Sequence, residues 1–119
     1  MGDTDLKQRT KRFALAVIKF SESLPKNETC RVLGRQLLRA GTSVGANYRA
    51  ACRSKSKADF INKLSIVEEE ADECGYWFEL LEKLPTTNHR ALACLRDEAS
   101  QLVAIMVQSK KTARTNTAS

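Results

Sequence analysis

The residues most able to do chemistry are the acids of the run Glu68-Glu-Glu-Ala-Asp-Glu73. Helical bundles hold paired metal ions with such carboxylates, but they also need a Glu-x-x-His motif on each of two helices. The single histidine, His89, falls where the last predicted helix starts, and no such motif surrounds it. We therefore interpret the acids as a solvated or interface face, and we predict no metal site and no cofactor.

Other catalytic arrangements also lack their parts. A Ser-His-acid or Cys-His site would need His89 beside a nucleophile, and nothing in the sequence places it there. The run Gly41-Thr-Ser-Val-Gly45 is too short for a phosphate-binding loop and has no lysine. We expect no catalytic residues and no enzymatic activity.

Basic residues form the second pattern with chemical meaning. At helical spacing four arginines of the second helix share one face, about 200° round from the predicted core face, and two lysines of the following connector extend it. Guanidinium groups bind phosphates bidentately, so this row suits a nucleic-acid backbone. Two alternatives remain, because no aromatic residue is interleaved for base stacking. In one the basic face is simply exposed to solvent, and in the other it pairs with acids of the third helix in a neighbouring subunit. The predicted nucleic-acid-binding residues are Arg35, Arg39, Arg49, Arg53, Lys55 and Lys57.

Charge is segregated along the chain, whose net charge is +6. Residues 4–57 carry 13 basic and 3 acidic residues, whereas residues 58–82 carry 1 basic and 8 acidic residues. The basic part could attract nucleic acid. Attraction between complementary helices of one bundle is the interpretation that the sequence alone favours.

Four amphipathic segments predict an all-α fold. The first covers residues 5–24 and stops at Pro25. The second starts after an Asn27 cap and continues unbroken for about 25 residues through Gly41. We expect no break there because the helical spacing of its apolar residues continues unchanged past the glycine. The third follows a Ser56 cap, and Thr86 or Thr87 is expected to cap the fourth.

Short connections join these helices into an antiparallel up-down-up-down four-helix bundle. We assign residues 1–112 to this single domain and residues 113–119 to a disordered tail. The small residues around Gly41 are expected to let a neighbouring helix come close. Four cysteines at about 20-residue intervals lack metal-ligand spacing and predict buried thiols.

One polar residue falls in the predicted apolar seam of the second helix. Asn47 follows Val44 in this seam, and a buried amide without partners destabilises a fold by about 1–3 kcal/mol. Ser43 and Glu70 are the candidate partners. We predict that the three form a structural hydrogen-bond cluster that fixes helix register.

The third helix has more apolar residues than one seam needs. Ile66, Tyr76 and Leu80 form a second stripe, with Trp77 between the two stripes. We predict that these four residues form an interface for self-association. For Trp77 and Tyr48, a widened core remains an equal alternative.

No apolar run is long enough to span a bilayer, and no secretory signal is visible, so a cytoplasmic location without membrane contact is expected.

Several runs resemble the 23S rRNA intervening-sequence protein family, over residues 6–112. Its second-helix signature is similar to Gln36-Leu-Leu-Arg-Ala-Gly-Thr-Ser43-Val-Gly-Ala-Asn47, preceded by Leu24-Pro25. The matching third helix resembles Phe60-Ile-Asn-Lys-Leu64 and the run from Glu68 to Leu81. Arg49-Ala-Ala51 departs from the acidic residue and glycine of many members.

This resemblance implies a four-helix bundle that assembles as a ring-shaped homopentamer and has no catalytic residues. A similar fold serves as a basic pentameric accessory protein that binds nucleic acid and a reverse transcriptase. Two functions follow as hypotheses. One is a non-enzymatic oligomer that binds RNA or DNA through its phosphates; the other is a protein-interaction scaffold that docks a protein partner without binding nucleic acid itself.

Overall fold

The computed structural model describes residues 3–85 and 87–116, which form an all-α bundle as predicted. The helices are α1 (Asp3–Glu22), α2 (Glu28–Cys52), α3 (Lys57–Glu82) and α4 (His89–Thr115). Together they form a rod of 52 × 20 × 19 Å.

Contacts between successive helices run in opposite residue order. On α1 and α2, Thr10 lies near Gly45 and Val17 lies near Gly41. On α3 and α4, Glu68 meets Lys110 and Glu82 meets Arg96. The helices therefore pack antiparallel in the predicted up-down-up-down order.

Side-chain caps start three of the helices. Asn27 accepts a hydrogen bond from the backbone of Cys30, and Ser56 accepts one from the backbone of Asp59 at 3.0 Å, both as predicted. The expected cap of α4 at Thr87 is wrong, because the side chain of Asn88 accepts from the helix start and Thr87 is buried. The alternative cap, Thr86, lies outside the described residues.

The continuous α2 passes close to α1, as the small residues around Gly41 predicted. A Cβ atom on Gly41 would lie 2.8 Å from a methyl carbon of Val17, and one on Gly34 would lie 3.2 Å from Leu24. Contacts under 3.0 Å force one side to move, so α1 and α2 pack at a distance that only glycine permits at position 41.

The core differs from the predicted seam at one turn of α2. Tyr48 is 2% exposed and follows Val44 in the core, whereas Asn47 is only half-buried at the edge. The assignment of Asn47 to the seam is therefore wrong, and the alternative in which Tyr48 widens the core is correct. Elsewhere the core includes Phe20 and Phe78, whose rings meet edge to face at 6.1 Å.

Two further expectations need correction. The helix α4 continues to Thr115, so residues 113–115 are helical rather than part of a tail, and residues 117–119 lie outside the described part. Cys30 and Cys74 are buried free thiols, but Cys94 is exposed and Cys52 is half-buried. Burial raises the pKa of the Cys74 thiol to about 12.

No helix within the described ranges is both long and apolar enough to cross a membrane.

Candidate nucleic-acid interface

The arginine stripe consists of the exposed residues Arg35, Arg39 and Arg49 of α2 and of Arg53, which caps its end. Arg39 contacts α3, and Arg49 and Arg53 line a groove between α2 and α3. Arg39 does not point freely into solvent. Its guanidinium binds Glu70 at 3.4 Å and forms a second ion pair with Glu73, so it joins two helices of the same chain. We call this cluster of three residues the paired site.

The ionised forms of Arg39 and Glu73 in the paired site are stabilised by their hydrogen bonds and neighbouring charges. The hydrogen bond with Glu73, followed by the charge of Glu70, raises the pKa of Arg39. Partial burial opposes ionisation of Glu73, but hydrogen bonds from Arg39 and from the Trp77 indole outweigh it and lower the pKa of this carboxyl. The Trp77 Nε1 donates to Glu73 at 3.0 Å. The two carboxylates outnumber the single guanidinium, so the paired site carries no positive charge for a phosphate.

The predicted polar cluster of Ser43, Asn47 and Glu70 is not formed by the three side chains together. The Asn47 amide donates to the backbone carbonyl of Ser43 at 2.9 Å, within α2. Glu70 binds Arg39 instead. The prediction was wrong because it depended on Asn47 facing the core, a position that Tyr48 occupies.

Of the four residues predicted for self-association, Tyr76 is exposed and the other three are half-buried. Tyr76 is 53% exposed, and its ring contacts that of Trp77 with centroids 5.1 Å apart. Ile66, Leu80 and Trp77 are half-buried, and Trp77 packs against the core. Leu15, Val32 and Leu38 are further exposed apolar side chains.

The carboxy-terminal end of the stripe has a different environment. The side chains of Arg49 and Arg53 are exposed and make no ion pair with any residue in the described ranges. They border a shallow groove of about 470 Å³ between α2 and α3, which Asp59 and Lys63 also line. Asp59 is already paired with Lys63 at 3.0 Å. We call Arg49 and Arg53 the open end of the stripe.

The register of α2 against α3 explains the difference between the paired site and the open end of the stripe. Because α2 and α3 are antiparallel, the acid-rich middle of α3 lies beside Arg39, whereas the start of α3 lies beside Arg53. That start contains Lys57 and Lys63 and only one acid, Asp59. Positive charge therefore accumulates where α2 ends.

The basic surface continues into a larger concavity. An open cleft of about 860 Å³ lies between the α2–α3 connector and the last turns of α4, and Lys55 and Lys57 line it. Phe60 and Ile105 are half-buried, pack against the core and also line this cleft.

Sequence reasoning did not assign Phe60 or Lys63 to the basic surface. Phe60 matched the apolar seam of α3, and only its place in the first turn indicated that part of its ring would face outward. Lys63 is the one basic residue of the acidic segment, and the Ser56 cap together with antiparallel packing would have placed it near Arg49.

The remaining acids of α3 mostly face α4. Glu68 binds Lys110 at 2.7 Å, and Glu79 and Glu82 both pair with Arg96. Together with the pairs of Arg39, these contacts show that acids of α3 attract basic residues of both α2 and α4. Within the ranges that the structure describes, no group of three His, Cys, Asp or Glu side chains could hold a metal ion.

Comparisons with known proteins place the fold. The family model described as 23S rRNA-intervening sequence protein matches residues 2–108. A crystal structure of a protein with unknown function, from the S23 ribosomal protein family of Bacteroides thetaiotaomicron, is similar with a TM-score of 0.85 and 32% sequence identity. The similarity covers 93% of this chain and 99% of that one. None of the curated proteins matches the chain.

Proposed function

Starting from the fact that this chain belongs to the 23S rRNA-intervening sequence protein family, we propose that it is a non-enzymatic homo-oligomer that binds RNA or DNA through backbone phosphates. The observation that carries the proposal is the open end of the stripe. Arg49 and Arg53 lie at the end of α2 and have no acidic partner among the described residues. Lys55 and Lys57 extend the positive charge along the α2–α3 connector.

The local charge balance supports a polyanion as ligand. Five basic side chains and one carboxylate line the groove and the cleft together: Arg49, Arg53, Lys55, Lys57, Lys63 and Asp59. Arginine forks bind phosphate oxygens in pairs, and lysines bind them as point charges. Such contacts position a nucleic acid without reading its sequence.

Self-association belongs to the same proposal. We assign the contact between subunits to the apolar stripe of α3, which consists of Ile66, Tyr76, Trp77 and Leu80 and in which Tyr76 is 53% exposed. A homopentamer is the assembly that the family resemblance implies. Several copies of one basic surface would give avidity for a long nucleic acid even when each copy binds weakly. We place this function in the cytoplasm, without membrane contact.

A direct test measures binding of wild-type protein to a labelled RNA and a labelled DNA at several salt concentrations. We expect binding that weakens steeply as salt rises, because each phosphate contact releases a counterion. The absorbance ratio of freshly purified protein should also reveal bound nucleic acid. Negligible binding at low salt would contradict the proposal and favour the scaffold alternative, in which the basic surface docks a protein partner.

A further inference from the structure

The cleft at the end of the bundle adjoins the open end of the arginine stripe. The cleft and the groove beside Arg49 and Arg53 share one lining residue, Ser54. A chain lying in the groove would therefore reach the cleft without crossing an acidic surface other than Asp59, which Lys63 pairs. From this continuity we infer that the cleft receives an unstacked base of a single-stranded nucleic acid whose phosphates bind the groove. This inference rests on the proposed function.

The walls of the cleft fit the flat face of a base. Phe60 and Ile105 lie at its apolar side, and both are held in place because they pack against the core. Stacking of a base on an aromatic ring is favourable and tolerates any sequence, because every base has a π face. The volume of about 860 Å³ falls in the usual range for small organic ligands.

The rim of the cleft fits the polar edge of a base and its phosphate. Ser109 supplies a hydroxyl, and Gln108, whose amide donates to the Thr112 hydroxyl at 3.5 Å, supplies a carbonyl oxygen, so the rim carries groups that can hydrogen-bond to base edges. Lys57 donates from its Nζ to the backbone carbonyl of Asn116, which places its positive charge at the rim.

A base can enter this cleft only when it has left its stack. In a duplex the bases are paired and stacked, and only the backbone could reach the lysines. Loops and single strands expose bases that can be splayed out onto aromatic side chains. The cleft therefore distinguishes single strands from duplexes, whereas Arg49 and Arg53 alone would not.

The test compares two short oligonucleotides of about six nucleotides, a length within the site size of single-strand binding proteins. One is oligothymidylate, and the other has the same phosphates with abasic sugars. We expect wild-type protein to bind oligothymidylate about tenfold more tightly, since stacking of one base accounts for a difference of this order.

Two variants remove the preference in different ways. Phe60→Leu keeps an apolar side chain but removes the ring, and Ser109→Leu places a bulkier apolar side chain in the cleft. Each variant should lower the affinity for oligothymidylate to that for the abasic oligonucleotide. The affinity for the abasic oligonucleotide should stay unchanged. Val107→Leu is the matched control, because Val107 is an exposed residue of α4 that does not line the cleft, and it should retain the preference.

The outcomes separate the two proposals. Equal affinity of wild-type protein for both oligonucleotides would overturn the base site and leave phosphate binding intact. Absence of binding to either would overturn the proposed function and the base site with it. If Phe60→Leu and Ser109→Leu kept the preference but changed the oligomer mass in light scattering, the cleft would be a subunit contact, and the base site would again be overturned. Ser109→Leu decides the matter if Phe60→Leu fails to fold.

Discussion

Arg39 on α2 and Arg53 at its C-cap belong to the same stripe, yet the structure gives them opposite surroundings. Arg39 binds Glu70 and Glu73, so its charge is used to join α2 to α3. Arg53 lies beside the start of α3, where Asp59 is already bound to Lys63. The comparison teaches that a row of arginines on one helix is not one surface, because the neighbouring helix determines which charges remain available.

The largest expected effect is at the open end. Arg53→Glu removes the proposed phosphate contact and adds a negative charge, so RNA affinity at low salt should fall about a hundredfold, given about 1.5–3 kcal/mol for a charge-assisted hydrogen bond. Fluorescence anisotropy with a labelled RNA measures this. Lys19→Glu changes the net charge equally at an exposed position of α1 and should have a much smaller effect. Equal losses in both variants would mean that only net charge matters.

The next effect concerns the close approach of α2 to α1 at Gly41. Gly41→Ala would put a methyl group 2.8 Å from Val17, and we expect it to lower the free energy of unfolding by about 1–3 kcal/mol. Chemical denaturation measures this difference.

Gly75→Ala is the matched control for the Gly41 variant. A methyl group there meets nothing within 4 Å, so the change should raise the free energy of unfolding by up to about 1 kcal/mol. If Gly41→Ala were as stable as Gly75→Ala, the close approach of α1 to α2 would be contradicted.

The smallest effect is the pH dependence of the paired site. The pKa of Glu73 is lowered by folding, so its ionised form stabilises the protein above the ordinary glutamate range, near pH 4.5, and this contribution is lost as the pH falls through the lowered value. Glu73→Gln should therefore lower the melting temperature slightly at pH 7 and much less at pH 3. Calorimetry at both pH values checks this, and an equal difference at both would argue against a stabilising ion pair.

Much of the fold could be predicted because it depends on patterns within one helix. The apolar phase through Gly41 gave a continuous α2, and the Asn27 and Ser56 caps marked two helix starts. The choice between Asn47 and Tyr48 failed because the two lie next to each other near the edge of the apolar face, where steps of three and of four are both acceptable.

The candidate site was less predictable because it depends on contacts between helices. The stripe itself follows from helical spacing, but the ion pairs of Arg39 depend on how far α3 is shifted along α2. The cleft beside Phe60 also requires the last turns of α4, which a polar sequence after Lys110 did not indicate. Register and helix length come from the packed bundle rather than from any one segment.

The central claim is that the open end binds phosphates and the paired site does not. The measurement is the slope of the logarithm of RNA affinity against the logarithm of salt concentration, for wild-type protein, the double variant Arg49→Ala with Arg53→Ala, and Arg39→Ala. Each lost phosphate contact on a single strand should flatten the slope by about 0.7, so the double variant should flatten it by about 1.4 and Arg39→Ala should leave it unchanged. A double variant with the wild-type slope, or an Arg39→Ala variant that flattens it equally, would contradict the account.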